Sequence, residues 1–191
     1  MEPTEQLAQI VPTLIALVDR IEVAQLNDRT PCADFTVHDV LDHMIVGAGT
    51  FAYSFRGEEA PEVMAPPVYG RVPAAEFTAA MNDLLAATRS PGAMDRVIAA
   101  PIGEMPGSAF ARFVAFDGTV HGWDLATATG IPFELPADVV DAVDGFARSA
   151  LSDDMRDGDT FRSATDAPDS ATQLERLVAF SGRSLRPLAT A

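Results

Sequence analysis

Three histidines and a few carboxylates are the residues of this chain that could do chemistry, and their spacing selects among them. Asp117 and His121 stand i, i+4 in the stretch Phe110–Gly130, FARFVAFDGTVHGWDLATATG. On a helix that spacing sets their Cβ atoms about 5–6 Å apart, close enough to grip one ion. His43, on another helix, would complete a His₂-carboxylate set with an open coordination position. That is the donor arrangement of catalytic zinc and some non-haem iron sites. Two neutral imidazoles and one carboxylate leave a divalent ion with net positive charge. Such a centre lowers the pKa of a bound water or thiol and stabilises developing negative charge. Asp124, one turn further along the same face, could orient a ligand imidazole.

The helix that carries these groups is entered after Pro106-Gly107-Ser108 and closed by Gly130, with Pro132 just beyond. At about 100° per residue, Phe110, Phe113, Val114, Val120, Leu125 and Ala128 share one arc, the face a bundle buries. Asp117, His121 and Asp124 lie in the middle of that arc. A carboxylate buried there needs a partner, a proton or a metal. The plainer reading is that an Asp–His pair satisfies itself by hydrogen bonding, and D-x-x-x-H spacing also arises by chance. His38, in the first turn of its helix, reads as exposed and stays outside the set. Cys32 reads as a small buried residue rather than a thiolate nucleophile. Trp123 reads as core or interface. Arg56 and Arg112, within reach of a site on these helices, read as surface ion pairs rather than anion clamps. Other signatures are missing: there is no G-x-S-x-G elbow, no P-loop, no G-x-G-x-x-G and no paired cysteines.

The remaining elements must position these groups. Residues 4–26 carry Leu7, Ile10, Val11, Leu14, Leu17, Val18 and Ile21 in amphipathic helical register. Thr36, with Asp39 three residues on, opens a second helix running to about Phe55. His43 lies on its flank with Gly47, Thr50 and Ser54, whose small side chains leave room for an approaching group. Gly57–Val72 reads as a proline-rich loop, and a third helix runs from Pro73 to about Thr88. Ser90–Ser108 holds a short strand at Val97–Ala99. A fifth helix follows Pro136 and carries Val139 to Leu151. Ser152–Ser170 is polar, and a last short helix spans about Ala171–Phe180. These elements point to an all-α bundle in one domain over residues 1–191, with long proline-rich loops that are often functional.

Composition narrows the function classes. The 191 residues carry 28 acidic and 13 basic side chains, every basic one an arginine, for a formal charge of −15. Such a surface argues against nucleic acid or an anionic membrane as partner. With 48% hydrophobic residues and a mean hydropathy of +0.11, the chain is an ordinary globular one. A single cysteine excludes an intramolecular disulfide. The start, MEPTEQ, lacks the layout of a signal peptide, and Met44–Phe55 is too short to span a bilayer. The expectation is a cytoplasmic protein. Aromatic residues, at 7%, do not suggest a sugar cleft.

Three segments carry a family resemblance: TPCADFTVHDVLDHMIVG (Thr30–Gly47), DGTVHGWDLATATG (Asp117–Gly130) and QLERLVAFSGRSLRP (Gln173–Pro187). In their order and spacing the chain resembles the actinobacterial metal-binding proteins of the DinB-like superfamily. These are related to the N-terminal, metal-binding domain of mycothiol-dependent maleylpyruvate isomerase. The resemblance implies an up-down four-helix bundle with extra short helices. It also implies a metal triad of His43, Asp117 and His121, with zinc first and nickel or iron as alternatives. Phe35 stands where relatives usually carry Trp, Asp117 replaces the isomerase's Glu, and the isomerase's C-terminal domain is not expected.

The function implied is a metal-dependent thiol S-transferase or isomerase using mycothiol or another small thiol and an electrophile. Two other classes remain open. One is a binding or regulatory module braced by the metal, which requires no cavity at His43–His121; the other is a metal hydrolase. A homodimer through Trp123 or the flank of the first helix is a further expectation.

Overall fold

The structure is a computed structural model that describes residues 1–32, 35–61, 70–100, 102–156 and 161–186. Helix α1 (Pro3–Val18) starts with proline at its first position, and the Glu5 carboxylate accepts from the Glu2 backbone N–H at 3.1 Å. It ends eight residues short of the expected Leu26. Glu22 is extended, and Val23–Gln25 forms a separate 3-10 turn. The Gln25 amide donates to the Thr129 carbonyl at 2.9 Å, tying this turn to the end of the central helix. A tertiary contact therefore overrides the helical periodicity that Ile21 continues.

Helix α2 (Val37–Arg56) begins where Thr36 caps it. The Thr36 hydroxyl accepts from the Asp39 N–H at 3.3 Å, and the Asp39 carboxylate accepts from the Thr36 N–H at 2.8 Å. Such a reciprocal cap is worth about 0.5–2 kcal/mol, and it fixes the phase of α2 and hence where His43 points. Helix α3 (Ala74–Ala87) follows Pro73 as expected. Of the proposed loop 57–72, residues 62–69 lie outside the described residues.

The strand expected at Val97–Ala99 is β1 (Val97–Ala100). Its antiparallel partner β2 (Gly103–Pro106) was not foreseen, because GEMP has no β-branched or aromatic residue to announce it. The all-α expectation holds, with one small hairpin as the only sheet among the described residues. Pro106 leads straight into α4 (Gly107–Thr129), which Gly130 ends in the left-handed conformation at φ 71°.

Helix α1 packs against α3 and α4, and α2 packs against the same two, so α1 to α4 form a bundle. Helix α5 (Ala137–Ala150) lies on α4, and α6 (Gln173–Phe180) closes over α5 and α4. Rings show the direction of the α2–α4 pair. His43 meets His121 at 4.8 Å between centroids, while Phe51 meets Phe110 at 4.9 Å. Moving forward on α2 is moving backward on α4, so the two are antiparallel.

Helix α4 is central rather than one-sided. Ala111, Ala115, Phe116, Gly118 and Thr119 are buried along with the expected Phe110, Val114, Val120 and Leu125, whereas Phe113 and Ala128 are only partly so. A helix apolar on most sides is one surrounded by others. The connection after α4 also packs closely on it: a Cβ at Gly122 would sit 2.4 Å from the Phe133 ring. No helix among the described residues is long and apolar enough to cross a membrane.

Candidate metal centre

Two turns into α2 from its cap, His43 faces α4 across the bundle. Its Nε2 lies 3.6 Å from Asp117 Oδ1, and His121 Nε2 lies 3.5 Å from the same oxygen. Both separations exceed the span of about 2.7–3.2 Å of a good hydrogen bond. They match the edge of a coordination shell, because donors about 2.0–2.1 Å from one tetrahedral ion stand roughly 3.4 Å apart. One donor atom from each of His43, Asp117 and His121 falls within 4.8 Å of the others. The donor set therefore fits a divalent ion such as zinc on chemistry and on spacing.

The arrangement meets the expected burial for only one of the two aspartates. Asp117 was placed at the centre of a buried arc, yet its side chain is 41% exposed and His43 is 44% exposed. Both open onto a cavity between α2 and α4. Asp124 is the buried carboxylate, at 0% exposure, and it is fully engaged. Its Oδ2 accepts from His121 Nδ1 at 3.0 Å and from Arg183 Nη2 at 3.0 Å, and its Oδ1 accepts from Arg183 Nε at 3.4 Å. A carboxylate can only accept, so the His121 proton resides on Nδ1 and the Nε2 lone pair faces Asp117. Asp124 thus stands where the spacing suggested, oriented by a cation the sequence reading missed.

Arg183 follows α6. Its N–H donates to the Val178 carbonyl at 3.0 Å, after Gly182 turns the chain at φ 98°. The only sequence signal was its place in the terminal family-like segment. Nothing in the pattern couples residues 59 positions apart.

Charge accounts for the titration behaviour. The Asp117 carboxylate facing its ring raises the His43 pKa against the opposing effect of burial. Burial pulls Asp117 upward, but its electrostatic interactions with the facing His121 and His43 outweigh it and hold the carboxyl below its ordinary range. Cys32 is half-buried in the cavity wall, and burial pushes its thiol up although the nearby Arg183 opposes this. Its sulfur forms a second compact group with donor atoms of His121 and Asp124. Asp124 is already committed to Arg183, so the set built on Asp117 is the better ion site.

The other candidates fall outside. His38, expected to be exposed, is mostly covered and pairs with Asp42 at 3.3 Å on its own helix. Arg56 forms a forked ion pair with Asp83, and Arg112 donates to the Met1 carbonyl at 3.4 Å. Arg56 agrees with the expected surface ion pair, whereas the contact of Arg112 is to a backbone carbonyl rather than to a carboxylate. Trp123 is partly buried against the core.

The cavity has a volume of about 420 Å³ and is lined by Cys32, His43, Asp117, His121 and Arg183 at its polar end, with phenylalanines beyond. A helical bundle with an open, ring-lined cleft, at whose polar end His43, Asp117 and His121 could hold an ion, is the class these features define. Residues 7–126 match the mycothiol maleylpyruvate isomerase N-terminal domain family, and the chain belongs to that family. The match takes in Cys32, His43, Asp117, His121 and Asp124, and stops short of Arg183. Uncharacterized proteins from two strains of Mycobacterium tuberculosis are each 29% identical over 190 residues, covering 97% of this chain and 100% of theirs. The crystal structure of a single-site mutant of the mycothiol-dependent maleylpyruvate isomerase is similar in fold. It shows a TM-score of 0.58 at 13% identity over 74% of this chain and 68% of that one.

Proposed function

We propose that the protein is a metal-dependent thiol S-transferase or isomerase. It would hold a divalent ion, zinc first, on His43, Asp117 and His121, and take a small thiol of the mycothiol type as cosubstrate. The observation that carries this is the donor set itself: three ligand atoms at coordination spacing, two of the three side chains open to a cavity of about 420 Å³. An ion held there supplies a Lewis acid that favours the thiolate form of a thiol. The residues of the chain do the rest. Asp124 and Arg183 fix the tautomer and tilt of His121, and the apolar walls keep water from competing for the electrophile. A purely bracing metal has no use for a cavity beside it, so the catalytic reading is favoured over the structural one. Family membership supports the thiol as partner.

The test is the metal content of protein purified without a His-tag, beside His43→Ala and His121→Ala. The expected result is about one ion per chain, lost in both variants. Transfer of a thiol to an electrophile should be lost with it, and ester hydrolysis should be absent throughout. Full thiol-transfer activity in metal-free protein would overturn the mechanism.

A further inference from the structure

The cleft is divided along its length. Its titratable lining groups, Cys32, His43, Asp117, His121, Arg162 and Arg183, gather around one end, where Cys32 lies within the electrostatic reach of Asp117, Asp124, Arg162 and Arg183. From His43 to Phe51 on α2 is eight residues, and from Asp117 back to Phe110 on the antiparallel α4 is seven. At 1.5 Å per residue the trough therefore runs about 11 Å away from the donor set. That stretch is walled by Phe51, Phe110, Phe113 and Val114, with Phe116 and Phe161 packed together at 6.2 Å alongside. Ala100 and Ile102 of the β hairpin line it too.

We propose that this trough seats the uncharged aromatic body of the electrophile, a conjugated aryl ketone of about one or two rings, with its reactive carbon toward the donor set. The assignment rests on the thiol-transfer reading above and names its second substrate class. Among the described residues a carboxylate carried into the trough would meet rings and aliphatic carbons, and burying it unpaired is costly. Of the two arginines that line the cavity, Arg183 is already bound to Asp124, and Arg162 gathers with it at the polar end rather than along the trough. Ring faces and edges instead suit a flat aromatic guest, and the cavity falls in the size range of small-molecule sites. The reaction is a conjugate addition. Sulfur forms a bond to the β-carbon, the C=C electron pair moves toward the carbonyl, and the α-carbon takes up the proton the thiol lost. No leaving group, oxidant or reductant is needed.

Binding can be read without turnover. The neutral fluorophore 1-aminoanthracene should bind the full chain saturably at micromolar concentration with a blue-shifted emission. Benzalacetone (4-phenylbut-3-en-2-one) should displace it, and the ring-carboxylated analogue should do so at least tenfold less well. Ile102→Asp, at the edge of the hairpin, should weaken the fluorophore tenfold or more while circular dichroism and metal content stay unchanged. Equal displacement by the carboxylated analogue, or binding indifferent to both Ile102→Asp and Ile102→Trp, would sink the assignment. Selective displacement with no thiol addition to benzalacetone would leave the aromatic site standing and remove the transferase reading instead.

Discussion

Asp117 and Asp124 sit two turns apart on one helix, and their surroundings give them opposite characters. Asp117 opens onto a cavity and faces two imidazoles at 3.5 and 3.6 Å, a spacing that leaves a gap an ion could fill. Asp124 sees no solvent and is closed in by His121 on one side and Arg183 on the other. One carboxylate is held ready and the other is spent. The difference shows that a shared helical face decides which groups can meet, while the helices packed on that face decide which of them remain available.

Replacing each aspartate by asparagine should split the two roles most widely. On the proposed ion site Asp117→Asn would remove a direct ligand, so affinity for zinc should fall more than about 100-fold, beyond the 10–100-fold typical of outer-shell losses. Its melting temperature without metal should stay close to that of the parent. Asp124→Asn should keep a weaker metal site and lose stability instead. Isothermal titration with zinc, beside thermal melts in chelator, measures both. Equal effects of the two variants on metal affinity would erase the distinction.

Arg183 offers the next largest effect. Arg183→Ala leaves the Asp124 carboxylate buried with only an imidazole beside it, and breaking such a pair costs about 3–5 kcal/mol. The urea midpoint should fall accordingly, and zinc affinity should drop about 10–100-fold as His121 loses its brace. Arg183→Lys restores the charge without the fork and should recover only part of either loss. A variant that loses stability but binds zinc as tightly as before would make Arg183 a strut with no part in the centre.

These expectations also mark how much could be read from the sequence. The helices were legible where local chemistry is strong: Thr36 and Asp39 announce α2, Pro73 announces α3, and Gly130 closes α4. His43, Asp117 and His121 were legible as a set because two are i, i+4 neighbours and the histidines are few. Three things were hidden for a physical reason. The end of α1 depends on Gln25 reaching Thr129, β2 exists only because β1 pairs with it, and Arg183 acts through Asp124 from 59 residues away. The first and the third are long-range contacts, which periodicity and capping do not encode, and the hairpin, though local, has no strand-forming residue in GEMP to announce it. The burial of Asp117 was misjudged because an arc of hydrophobic neighbours does not show where a neighbouring helix leaves a cleft.

The smallest effect concerns pH. In metal-free protein the His43 pKa lies above its ordinary 6.5, and that of Asp117 lies below its ordinary 3.8. The raised histidine adds stability that is complete below about pH 6.5 and disappears as pH rises through its folded value. The lowered aspartate adds stability that is present above about pH 4 and disappears as pH falls through its folded value. Their joint contribution is therefore greatest between about pH 4 and 6.5. It should be modest and sensitive to salt, since both side chains are over a third exposed. A ligand imidazole must be unprotonated to bind an ion, so zinc should reverse the trend and make the protein more stable as pH rises through the His43 pKa. Melting curves from pH 4 to 8, with chelator and with zinc, should slope in opposite directions above pH 6.5. Asp117→Asn should flatten both, and parallel slopes with and without zinc would place the ion elsewhere.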